Sequence, residues 1–379
     1  MNATYEICAF GETSALSPEL EAALVNHLSE FALMIGKEVA LDRSGSLSRR
    51  NPSTSTVGLF FGCEPVPKWN PPAALGSTDP IIPIVSDLTR CGKELPPEAS
   101  YFNAMALDGP SSAQRIASAA AECLGLLPSR RRIFISYRRV ESTPVALQLY
   151  EALSKEQYDV FLDTHEIRPG AIFQDALMHS LSDCDILLML DTPTYVANHW
   201  TKIELVRANK LNCAVLRLGW PGVTADLSFT YSNQIKLDAS DFRKDRRLRV
   251  DRVNEIADEI ERLRSKSVAI RQAKLLGILR AEVGQKSGSL SHPGQFRRVE
   301  ANFPGGKRLQ VYPIVEIPTS EHVARIVENA TPDQSALLYN HLGVMNKWRA
   351  HLEWLGTQVD DFHWIRSGFI DVDLSEALK

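Results

Sequence analysis

Between Arg131 and about Arg264 the apolar positions switch between helical and strand spacing, and the elements follow from that switching. Ile133-Phe134-Ile135-Ser136-Tyr137-Arg138-Arg139 opens the region, apolar on both faces and then abruptly polar and cationic. Such a run predicts a short strand covered on both sides, as in a parallel α/β sheet. Val145, Leu149 and Leu153 recur at i, i+4 and i+8 and predict a helix over Pro144–Lys155. Tyr158–Leu162 reads as a second strand, leading into the polar loop Asp163-Thr164-His165-Glu166-Ile167-Arg168-Pro169-Gly170 with its Pro-Gly turn signal. Phe173, Leu177 and Leu181 return to helical spacing. Asp185–Leu190 is a third, continuously apolar strand, Cys213–Leu218 a fourth and Gln234–Leu237 a fifth. Between the third and fourth, Trp200 and Glu204 stand four apart, on one face of a predicted helix. Ligands of parallel sheets bind beyond the carboxyl ends of the strands, so Tyr137, Arg138 and Arg139 stand where a site belongs.

The same alternation predicts an α/β domain over residues 1–127. Its strands are Tyr5–Phe10, Glu38–Leu41, Val57–Gly62, Ile81–Val85 and Phe102–Ala106, and its helices Ser17–Leu33 and Ser111–Leu126. An internal echo links it to the region above: Tyr101-Phe-Asn-Ala-Met-Ala-Leu107-Asp108 and Tyr231-Ser-Asn-Gln-Ile-Lys-Leu237-Asp238 share Tyr, Asn, Leu and Asp in register. Upstream, Trp200-x-x-x-Glu204 is answered by Trp69-x-x-x-Ala73, without the acid. Arg249–Val283 is strongly helical, with Val253, Ile256, Ile260 and Leu263 on one stripe, and Gly284–Gly294 has linker composition. We therefore divide the chain into 1–127, 131–265, a helix and linker over 266–296, and a C-terminal α+β domain over 297–379. In the last, a strand is predicted at Arg308–Ile317 and helices at Ser320–Asn329 and Pro332–Leu355; its Trp348, Trp354, Phe362, Trp364 and Phe369 suit a small core better than a partner surface.

Composition narrows the chemistry. A net charge of −4 over 379 residues argues against a nucleic-acid surface across the whole chain. The six cysteines form no CxxC pair and suit reduced thiols in the cytoplasm. No segment approaches the roughly 20 apolar residues of a membrane span, and the N-terminus does not read as a signal peptide. GxGxxG, Walker A, GxSxG and HExxH motifs are absent, and the nine histidines lack metal spacing, so no metal and no cofactor are expected.

Taken in order, FISYRR, FLD…EIRPG…F, SDCDILLML and W-x-x-x-E resemble the TIR (Toll/interleukin-1 receptor) domain, over roughly a third of the chain. The resemblance is to its NAD-cleaving branch, found in animals, plants and bacterial antiphage systems. It implies a flavodoxin-like parallel sheet, and with the internal echo it makes the first domain a degenerate TIR-like or flavodoxin-like copy lacking the acid. It also implies cleavage of the nicotinamide–ribose bond of NAD+, a substrate rather than a cofactor, to nicotinamide and ADP-ribose or a cyclic form. Glu204 matches the family's catalytic glutamate, and Arg138 and Arg139 its paired arginines. Asp163–Phe173 matches the loop that gates the pocket and joins neighbouring domains, which adds Ile167, Arg168, Gly170 and Phe173; Trp200 is a stacking or packing residue. Self-association through TIR domains and activation by an unidentified ligand or protein belong to the same expectation, in a cytoplasmic immune or antiphage setting. The alternative is a non-catalytic adaptor, a role in which such domains commonly lack the carboxylate present here. One departure stands out: the loop after the third strand opens on Asp191, where many relatives have serine.

Overall fold

The computed structural model describes residues 3–43, 54–162, 173–195, 213–223, 233–329 and 334–379, with the backbone alone over 173–177. These fall into two compact units, Met1–Ser129 with Pro293–Arg297, and Arg130–His292 with Arg298–Lys379.

In the first unit, β1 (Tyr5–Gly11), β2 (Val39–Asp42), β3 (Ser55–Phe61), β4 (Ile81–Val85) and β5 (Met105–Ala106) form a parallel sheet in the order β2-β1-β3-β4-β5. Continuous runs without polar side chains, such as Val57–Phe61, are buried along their length, because helices cover both faces of a parallel sheet. The helix α1 (Pro18–Glu30) starts where Ser17 accepts a bond from the Leu20 N–H and Pro18 takes the first helical position. Two more helices follow, α2 (Cys91–Glu94) and α3 (Pro110–Cys123). Part of the expected linker belongs to this unit, Tyr5 donating to the Gly294 carbonyl at 2.8 Å, and so does Arg297, the first residue of the expected C-terminal domain, whose guanidinium lies over the Phe31 ring.

The second unit begins with β6 (Arg131–Ser136), α4 (Arg139–Lys155), β7 (Tyr158–Leu162), α5 (Phe173–Asp183), β8 (Ile186–Asp191), β9 (Ala214–Gly219) and β10 (Asn233–Lys236). Its sheet runs β10-β9-β8-β6-β7, all parallel. Counted from the first strand of each sheet, both sheets have the flavodoxin-like order 2-1-3-4-5. Strand alternation splits the core between the faces. Ile133, Ile135 and Tyr137 pack with Val145, Leu149 and Leu153 of α4, while Phe134 packs with Leu181, Met189 and Tyr195.

The predicted helix after this sheet is α6 (Val250–Gln285), 36 residues and about 54 Å long. Val253, Ile256, Ile260 and Leu263 bury against the sheet, and the stripe continues through Leu275, Leu276, Leu279 and Val283. Beyond it a mixed sheet is ordered β11 (Ser289–Leu290), β12 (Val299–Asn302), β13 (Arg308–Ile314), β14 (Gln334–Tyr339) and β15 (Phe362–Arg366). Its first pairings are antiparallel, and β13, β14 and β15 are parallel. The helices α7 (Ser320–Glu328), α8 (Asn346–Gly356) and α9 (Ile370–Ala377) complete it. Here the single helix expected over Pro332–Leu355 is instead β14, a turn and α8. Ser335–Tyr339 is buried on both faces between two parallel strands, and Gly343, at φ +82°, turns the chain before α8. Phe362 belongs to the core of this sheet, with Trp348 and Trp364 packed against it; Trp354 and Phe369 are exposed. All six cysteines are free thiols. Among the described residues no helix is long and apolar enough to cross a membrane.

Candidate active site

The carboxyl end of the second sheet gathers the residues with chemical potential. β6 ends in Ser136 and runs through Tyr137 into Arg138, the residue that precedes α4. The start of α4 is fixed locally: the Arg138 N–H donates to Ser142 Oγ at 3.2 Å, and that hydroxyl donates back to the Arg138 carbonyl at 3.0 Å. The Arg138 side chain is thereby aimed at the loop after β8, where it donates to the Thr194 carbonyl. Thr194 Oγ1 donates to Glu141 Oε1 at 2.8 Å, so α4 and the 192–195 loop are latched twice. Burial alone would raise Glu141, but the hydroxyl donors of that loop and the Arg138 charge outweigh it and hold the carboxyl below its usual range.

Deeper in, Tyr195 is 1% exposed and donates to Ser136 Oγ at 2.7 Å. Arg217, on β9, is 1% exposed, and its Nε donates to Asp191 Oδ2 at 2.6 Å. Asp191 is itself fully buried, and its carbonyl accepts from the Trp220 N–H at 3.0 Å. A buried ion pair thus ties the last residue of β8 to β9, directly beneath the 192–195 loop. Neither partner was singled out for chemistry from the sequence. The available signal was a single cation inside an otherwise apolar strand, Cys213-Ala-Val-Leu-Arg-Leu218.

The sequence candidates separate clearly. Tyr137 is 4% exposed and belongs to the core on the α4 face. Arg138 is half-buried and serves as the latch, while Arg139 is exposed at the first position of α4. Phe173 is the first residue of α5, and its side chain lies outside the described residues, as do Ile167, Arg168, Gly170, Trp200 and Glu204 altogether. Among the described residues no group of three or more His, Cys, Asp or Glu side chains is placed to hold a metal.

Residues 133–245 match the family model of the TIR domain. This chain carries a TIR domain. The matched segment runs from within β6 through β10 and includes the Trp200-x-x-x-Glu204 motif; the first sheet, of the same strand order, lies outside it. No curated protein matches the chain. Among solved structures, the TIR domains of the activated Roq1 resistosome directly recognising the pathogen effector XopQ share 18% identity, with 37% of this chain and 83% of that chain covered at a TM-score of 0.23. A putative two-component system response regulator/GGDEF domain protein shares 13% identity, with 67% and 97% covered, at a TM-score of 0.30. Likenesses at these scores carry no inference about activity.

Proposed function

We propose that the TIR domain cleaves the nicotinamide–ribose bond of NAD+, with Glu204 as the essential carboxylate. The observation that carries this reading is the TIR match over 133–245 together with the Trp200-x-x-x-Glu204 motif inside it. The chemistry asks little of the protein. The C1′–N bond breaks with its electron pair passing to the ring nitrogen, so nicotinamide leaves neutral and needs no acid. The ribose is left as an oxocarbenium-like centre, which a nearby carboxylate stabilises electrostatically. Water then adds at C1′ and loses a proton to give ADP-ribose, or a ring nitrogen of the adenine adds to give a cyclic product. In this reading Arg138 and the 192–195 loop form one wall of the site. Association of TIR domains, triggered by a ligand or protein, is part of the same proposal, with the reaction serving an immune or antiphage response.

The test is nicotinamide release, followed chromatographically at high protein concentration, for the wild-type chain and Glu204→Gln. Release by the wild type and its loss in the variant supports the reading, and the second product separates hydrolysis from cyclisation. An assembled wild-type chain that leaves NAD+ intact overturns it and leaves the adaptor role.

A further inference from the structure

The C-terminal half of the second unit holds a cleft of about 340 Å³ that the reaction above does not use. It opens at the carboxyl ends of β13, β14 and β15, the edge at which parallel α/β sheets take their ligands. Its volume is at the low end of the range for small-molecule sites. One wall is α6, which contributes Arg271 and Lys274. Arg271 is 6% exposed and donates to the carbonyls of Cys184, Ser182 and Val315, so its buried charge is met by dipoles rather than by a carboxylate. Lys274 is exposed and forms no ion pair among the described residues. None of the described residues lining the cleft is acidic.

The other wall is built from the two loops after β14 and β15. Ser367 Oγ lies 3.3 Å from Asn340 Oδ1 and 3.4 Å from His341 Nδ1, and the Gly368 N–H donates to the same ring nitrogen at 3.4 Å. A β-carbon at Gly368 would stand 2.5 Å from His341 Cε1, so the close seating of the ring requires glycine there. Burial, then the charges of Arg366 and Arg349, lower the His341 pKa and keep the ring neutral. With Nδ1 accepting, its proton sits on Nε2, which is left as a donor. A positive wall thus faces a neutral donor and a hydroxyl across a cleft without carboxylates.

We propose that this cleft binds a small phosphate ester, its phosphate facing Lys274 and Arg271 and its alcohol portion facing His341 and Ser367. The test titrates the full chain with ribose 5-phosphate and, separately, with inorganic phosphate, by calorimetry and by hydrogen exchange. Saturable binding of ribose 5-phosphate is expected, with slowed exchange at 340–343 and 367–369. Lys274→Glu, a change at an exposed position, should weaken it about tenfold or more, the loss of one charge-assisted contact. The same charge change at exposed Lys244, on the TIR domain, should leave it unaltered. Failure of ribose 5-phosphate to bind, equal loss in both variants, binding by inorganic phosphate alone, or protection confined to other segments each overturns the proposal.

Discussion

Removing the Asp191 carboxylate should destabilise the TIR domain more than most single substitutions, and the structure supplies the magnitude. Arg217 is 1% exposed and Asp191 fully buried, so neither charge is solvated by water. Their 2.6 Å bond joins residues on adjacent strands, in a register that sets Met189 beside Arg217 and Asp191 beside Gly219. Asp191→Ala leaves a guanidinium desolvated without the carboxylate it faces. Breaking a buried pair in this way costs about 3–5 kcal/mol, whereas replacing both partners by apolar groups of similar volume is often close to neutral. At roughly 2–4 °C per kcal/mol for a unit of this size, the melting midpoint should fall by on the order of 10 °C. Asp191→Asn, which keeps an acceptor and loses the charge, should fall between the two. The assay is a double-mutant cycle with Asp191→Ala, Arg217→Met and the pair together, read by urea unfolding followed by circular dichroism. The expected result is a double variant far more stable than the sum of the single losses implies, with a coupling of at least about 2 kcal/mol. A single loss below about 1 kcal/mol, or strictly additive losses, would refute the argument that these charges are held by each other.

Two further outcomes test the joint between the TIR domain and the C-terminal sheet. Asp183 accepts from the Ile317 N–H at 2.8 Å, and burial, over the opposing charge of Arg132, raises its carboxyl to about 6. Because the folded pKa exceeds the unfolded one, its stabilising contribution is present below about pH 4 and lost as pH rises through about 6; the stability of the wild type relative to Asp183→Asn should therefore fall over that window, and a rise would contradict it. Gly343 sits at φ +82°, and a β-carbon there would overlap Ser182 Oγ, which donates to the Met178 and Leu342 carbonyls. Gly343→Ala should cost about 2–4 kcal/mol from left-handed strain and lost hydrogen bonds, and Ser182→Ala in the same chain should recover part of it; a neutral Gly343→Ala would show the contact is not tight.

How much of this could be read in advance depended on whether the deciding contact was local. Ile133–Ile135 and Ile186–Leu190 announced buried parallel strands because both of their faces are apolar, a property of the run itself. The stripe Val253-Ile256-Ile260-Leu263 gave α6 for the same reason. Ser335–Tyr339 failed that test: Ala336, Leu337 and Leu338 are good helix formers, and only pairing with β13 on one side and β15 on the other makes them a strand. Gly343 was the local sign that a helix could not run from Pro332 to Leu355. At the site, Arg138 was visible because the cation follows directly on its strand. The Asp191–Arg217 pair was not, because its partners lie 26 residues apart and meet only once β8 and β9 are adjacent.

The two sheets sharpen what that pair means. The echoed segments end on the same hydrogen bond in each sheet: Leu107 N–H to the Val85 carbonyl, and Leu237 N–H to the Gly219 carbonyl, both at 2.8 Å. Val85 therefore corresponds to Gly219, and Pro83, two residues before it, to Arg217. Phe61 is paired with Ile84, so the next residue, Gly62, takes the place that Asp191 holds beside Gly219. The first sheet has proline and glycine where the TIR sheet has its buried ion pair, and a side chain at Gly62 would meet the Glu94 carbonyl at 2.6 Å. Following the same register to the first strand of each sheet, Gly11 corresponds to Tyr137 and Glu12 to Arg138. The cleft at this edge, of about 590 Å³, is lined by Glu19, Glu64 and Glu94, with Arg90 bonded to the last two. Among the described residues, identical topology thus carries a buried ion pair and the Arg138–Glu141 latch at one sheet's edge, and three glutamates with one arginine at the other's. If the TIR edge accommodates the phosphates of NAD+, as proposed, the glutamates at the first sheet's edge would repel them, so the shared strand order does not by itself carry that activity to the first domain.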